Sequence, residues 1–132
     1  ELAVAAAAAL LACRSSQAVA SHTTAAALLG LPVPFDAPGW LTRLPPASTR
    51  YGPLLNVEVA TVPIIDQWTV RGLPTTSLRR TVADCLRHLE PAHGLAIADA
   101  AVSTAVTATS AVVHTGIKAT EAVVDAVIPS KK

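Results

Sequence analysis

An α+β fold, with a small antiparallel or mixed β layer packed against several short helices, is what this sequence predicts. Three observations carry that expectation. Leu55, Val57 and Val59 alternate with Asn56, Glu58 and Ala60, the period of two expected of a strand with one buried face. Leu78, Val82, Cys85, Leu86 and Leu89 recur instead at helical spacing behind Ser77, a residue suited to capping a helix start. Six of the ten prolines fall between Pro32 and Pro53, where no helix can run and only edge or short strands fit.

Taken in order, Leu2 to Cys13 reads as an alanine-rich helix, with Arg14 near its end and a break at Ser15-Ser16. Ser21 is placed to cap a second short helix carrying Ala25, Leu28 and Leu29 on one face, and Gly30 to end it. After the strand around Val57, Trp68 to Val70 and Leu73 to Thr76 read as short strands on either side of Arg71-Gly72. The capped helix follows, and Pro91 stops it. Ala92 to Ser103 reads as another helix, interrupted early by Gly94. Val102 to Thr115 mixes Ala, Val, Thr and Ser without a period, so helix and strand are equal bets there. Thr120 to Ile128 has the pattern of a last amphipathic helix.

At 132 residues the chain is sized for one domain that buries roughly two thirds of its unfolded surface. Its residues are 52% hydrophobic but only 3% aromatic, so the core must come from close packing of small side chains. The 14% of charged residues is low, which favours an apolar patch covered by a partner. The net charge of +1 supplies no global field for nucleic acid. Between Arg43 and Arg87, however, six arginines stand against Glu58, Asp66 and Asp84. The two cysteines, Cys13 and Cys85, form no paired motif and read as cytosolic free thiols. The apolar run of 12 residues from Leu2 is too short for a bilayer, and Glu1 before it argues against a secretory signal. The absence of methionine predicts a segment of a longer protein, or a processed one.

Few residue groups suggest chemistry. Arg80 and Asp84 are four apart and so neighbours on one helix. Their plain reading is an ion pair; the functional one is that Arg79 and Arg80 present a surface to a nucleotide or acidic partner. Two arginines near a positive helix end are locally unfavourable, a modest hint of purpose. Cys85, His88 and His93, with Cys13 or His22, could be listed as metal ligands. They lack paired spacing, and Cys85 lies within the apolar stripe, so no metal or cofactor is expected. Ser21, His22 and Asp84 could be listed as a triad, but no nucleophile elbow accompanies them. Ser21 is explained as a cap and His22 as bonding a nearby backbone group. Asp99 is expected at solvent or paired with an arginine such as Arg80.

Two segments also resemble a family. Ser21, His22, Thr24, Ala25, Ala26, Leu28, Gly30 and Leu31 follow one of its patterns. Gly72, Leu73, Pro74, Thr76, Ser77, Arg80, Thr81, Asp84 and Ala98-Asp99-Ala100-Ala101 follow another, with a β-rich section from Trp40 to Val70 between them. Together they are similar to the AbiEi-type antitoxins of type IV toxin–antitoxin systems, in their actinobacterial form. The resemblance implies a core at residues 1–103 and a divergent, partly helical tail at 104–132. It implies a cytoplasmic transcriptional regulator that is not an enzyme and opposes a nucleotidyltransferase-like toxin without a stable complex. Operator DNA would be bound through a winged helix absent from this chain, and the toxin or its target would be met indirectly. Arg79, Arg80, Thr81, Asp84, His22 and Thr24 then become the candidate surface for a partner or nucleic acid. The alternatives are a nuclease-like domain, which lacks clustered carboxylates for a metal, or a helical module for self-association.

Overall fold

A computed structural model describes residues 5, 8–10 and 17–107. The chain divides into two compact units, Glu1–Ala101 and Val102–Lys132, and the features below belong to the first. Its strands are β1 (Ala18–Ala20), β2 (Gly39–Arg43), β3 (Leu55–Val59), β4 (Gln67–Val70) and β5 (Leu73–Thr76). Two helices have firm ends, α1 (His22–Leu28) and α2 (Leu78–His88). Residues 91–107 are also helical; this is α3, and only its part up to Ala101 concerns the first unit. The fold is α+β, as the sequence predicts. Residues 5 and 8–10 are helical. The rest of the expected first helix, and the one expected at Thr120 to Ile128, lie outside the described residues.

The strands form one mixed sheet in the order β3-β2-β1-β5-β4. β1 runs antiparallel to β2 and parallel to β5, and β2 runs parallel to β3. Ala18 and Ala20 are almost fully buried, so the middle of the sheet is lined by methyl groups. β4 and β5 form a hairpin, with Val70 opposite Leu73. Arg71 and Gly72 between them have φ of 52° and 78°, the two positive angles that a tight hairpin turn needs. The short segment Ala18–Ala20 is not an expected strand; β2, five residues long, is one of the short strands that the proline-rich section permits. It sits between β1 and β3 because its own five residues contain no proline.

α1 packs against β2, β5 and α2. The apolar core is mainly a helical affair: Ala26 of α1, Leu31 beyond it, Cys85 of α2, and Ile97 and Ala101 of α3. Leu78 and Val82 of α2, and Leu89 just beyond its end, pack against this cluster and are partly buried. Leu86 does not belong to the expected stripe; half of it is exposed. The best-buried residues of α2 are Thr81, Asp84 and Cys85, so the helix turns a polar seam inward beside its apolar one. Gly94 does not interrupt α3. A Cβ there would lie 3.3 Å from the Leu86 Cα and 3.4 Å from the Cys85 carbonyl oxygen, so glycine lets α3 close on α2. Among the described residues no helix is long and apolar enough to cross a membrane.

Candidate functional site

The inward polar seam begins at Ser77. Its hydroxyl accepts from the Arg80 amide at 3.3 Å, capping α2, and donates to Asp66 Oδ1 at 2.8 Å. Arg79 Nε donates to the same oxygen at 2.8 Å. Hydrogen bonds from Arg79 and then Ser77 hold the Asp66 carboxyl below its ordinary range, and Asp66 raises the Arg79 guanidinium in return. One turn on, Arg80 Nε reaches both oxygens of Asp84, at 3.0 and 2.9 Å, the i,i+4 pair that the sequence suggests. Arg87 Nη1 adds a longer contact to Asp84 at 3.5 Å. The expected Asp99–Arg80 pair does not form: Asp99 is exposed, and Arg80 is engaged by Asp84 and the Thr61 carbonyl.

The threonines act as fasteners. Thr81 and Thr76 share a hydroxyl contact of 2.8 Å that ties α2 to β5. Thr24 accepts from the Trp40 amide at 2.7 Å, tying α1 to β2. Both are buried, so neither is a surface residue for a partner. Of the six candidates, Arg79 alone carries a side chain mostly in solvent, 67% exposed, against 20% for Arg80 and 2% for Asp84.

His22 is the most unusual residue of the seam. It is fully buried and has φ of 47°, a left-handed conformation that costs a residue with a Cβ on the order of 1 kcal/mol or more. What offsets that strain is its ring. The imidazole stacks on Trp40 with centroids 4.1 Å apart and meets His88 edge-on at 4.7 Å. His22 Nδ1 lies 3.0 Å from the Ser21 hydroxyl, which is therefore not spent on capping α1. His22 Nε2 lies 3.2 Å from His88 Nδ1 and 3.4 Å from Glu58 Oε2. The expected bonding of His22 to a nearby backbone group is thus replaced by side-chain partners. Burial, then the neighbouring His88 and Arg80, push its pKa down to about 3, so the ring is neutral at physiological pH.

Histidines from α1 and α2 and a carboxylate from β3 therefore converge: one donor atom of each lies within 4.8 Å of the others. His22 and His88 stand out in the sequence, but Glu58 reads there only as the solvent face of a strand. Cys85 is no part of this cluster; it is a buried thiol of the helical core, and burial and Asp84 raise its pKa to about 12. His93 faces Glu90 instead, at 3.9 Å. Against known proteins, no family model, curated sequence or solved structure matches this chain.

Proposed function

We propose that this chain is the non-catalytic core of an AbiEi-type antitoxin. In that role it belongs to a longer cytoplasmic regulator that reaches operator DNA through a separate domain and opposes a nucleotidyltransferase-like toxin. The observation that carries the reading is the convergence of its two resembling segments. Ser21, His22 and Thr24 come from one, and Thr76, Ser77, Thr81 and Asp84 from the other. All are buried, and α1 packs on α2. A pattern spent on an inward polar seam is one that specifies a scaffold. Of the six candidate surface residues it leaves Arg79 with its side chain mostly in solvent, able to meet a partner.

Arg79→Ala tests this. Its side chain is mostly in solvent and Ser77 still donates to Asp66, so the variant should fold, with a melting temperature somewhat below that of the parent. In cells expressing the cognate toxin, the parent chain should restore growth and the variant should not. Full rescue by Arg79→Ala, or no rescue by the parent chain joined to its DNA-binding domain, would remove the proposal.

A further inference from the structure

We propose that His22, Glu58 and His88 form a binding site for one divalent transition-metal ion, with zinc as the natural occupant. This inference is independent of the antitoxin reading and goes beyond it.

The argument begins with protons. His88 Nδ1 lies 3.0 Å from the backbone oxygen of Asp84, which can only accept, so Nδ1 carries the proton of a neutral His88. That leaves His88 Nε2 as a lone pair, facing Glu58 Oε1 at 3.8 Å. His22 Nε2 lies 3.2 Å from the same His88 Nδ1, and two hydrogens cannot share that gap. His22 Nε2 is therefore also a lone pair, and its Nδ1–H is given to Ser21 Oγ at 3.0 Å. Glu58 Oε2 lies 3.4 Å from His22 Nε2 but outside hydrogen-bond geometry, and this buried oxygen has no donor among the described residues. Two unprotonated imidazole nitrogens thus lie 3.4 and 3.8 Å from the two oxygens of one carboxylate, with no proton assigned between nitrogen and oxygen. A cation is what such an arrangement lacks.

The geometry and chemistry agree on its class. Zinc bonded at about 2.0–2.1 Å in a tetrahedral site sets its ligand atoms about 3.4 Å apart, and the spacings here are 3.4 and 3.8 Å. Two imidazoles and one carboxylate suit zinc, iron, cobalt or nickel, whereas calcium and magnesium ask for oxygen ligands throughout. The outer partners also fit. Each histidine gives its other ring N–H to a fixed oxygen, Ser21 Oγ or the Asp84 carbonyl, and such bonds orient metal-ligating imidazoles. Burial holds His22 neutral, the form that binds metal. His88 is partly exposed, with 30% of its side chain in solvent, which gives the ion a path in and leaves room for a water as fourth ligand. The ion would join α1, β3 and α2 at one point.

The test uses the full chain with Cys13→Ser to remove a second thiol that could bind zinc, stripped with chelator and titrated with zinc chloride. One equivalent should bind, and saturation should raise the melting temperature by about 5 °C or more. Glu58→Gln and His88→Gln should each weaken binding at least tenfold, while His93→Gln should leave it unchanged. If a variant fails to fold by circular dichroism, the ring resonances of the parent decide. Zinc should shift those of His22 and His88 and spare those of His93 and His114. No saturable binding, which is the outcome if an extra proton on His88 fills the gap instead, would overturn the proposal. So would undiminished binding by folded Glu58→Gln and His88→Gln, or shifts confined to His93 and His114.

Discussion

Asp84 has 2% of its side chain in solvent, yet it is a carboxylate. Arg80 holds both of its oxygens, whereas Arg87 reaches one from an exposed position. Removing the first partner strands a buried charge, so Arg80→Ala should cost about 3 kcal/mol in urea unfolding. Arg87→Ala should cost less than about 1 kcal/mol, as exposed pairs do. Equal costs for the two would mean that Asp84 is solvated. Replacing Arg79 and Arg80 together would therefore damage the scaffold, which is why Arg79 alone probes a surface role. Asp66 gives a pH dependence of definite sign. Its folded pKa lies below the ordinary 3.8, so the unfolded chain binds the proton more readily. The stabilisation is complete above that value and is lost as pH falls through the lower folded one. Asp66→Asn should flatten that part of the acid limb of a stability–pH curve, and an unchanged slope would contradict the bonds to Arg79 and Ser77. Cys85, with its pKa raised to about 12, should resist alkylation in the folded Cys13→Ser protein and react only on unfolding.

At the scale of elements, α3 lies close against α2 at Gly94. Gly94→Val places a branched side chain where even a Cβ lies 3.3 Å from the Leu86 backbone, and backbone cannot rotate away. The variant should lose about 2 kcal/mol or more, read by denaturant melts; stability at parental level would show that the helices can part. This contact also marks the limit of the sequence. A glycine inside a helical pattern reads there as an interruption, because nothing local reveals the neighbour it accommodates. α2 was legible from its cap and period, β3 from its alternation, and β4 and β5 as short strands on either side of Arg71-Gly72. β1 was not: of Ala18-Val19-Ala20 only Val19 favours a strand, and pairing with β2 on one side and β5 on the other fixes the conformation. Leu86 was assigned inward by spacing alone, while the buried face rotates toward Thr81 and Asp84. The His22–Glu58–His88 cluster was hidden for a different reason. Its members come from three elements that only the sheet order brings together, so no ligand spacing appears along the chain. His22 and His88 could be named as possible ligands, but Glu58 looked like an ordinary solvent-facing strand residue.

For the molecule as a whole, the sheet order makes its shortest and least strand-like segment the centre. β2 and β3 stand on one side of β1, and β5 and β4 on the other. Ser21 and His22 follow directly from β1, so the same strand also fixes where the polar seam starts. Without β1, the sheet falls into two pairs of strands, each marginal by itself in water. The helical core cannot compensate, since α1 rests on β2 and β5 from both halves. Deleting residues 1–20 should therefore abolish cooperative thermal unfolding, and the His22 ring should become exposed. A milder substitution separates strand loss from loss of the preceding residues. Ala20→Asp places a charge at a fully buried position with no partner provided, and should destabilise by about 3 kcal/mol or more. Should either variant melt cooperatively within a few degrees of the parent, β1 would be a dispensable addition to the sheet. The strand order would then have to be redrawn with β2 and β5 as direct neighbours.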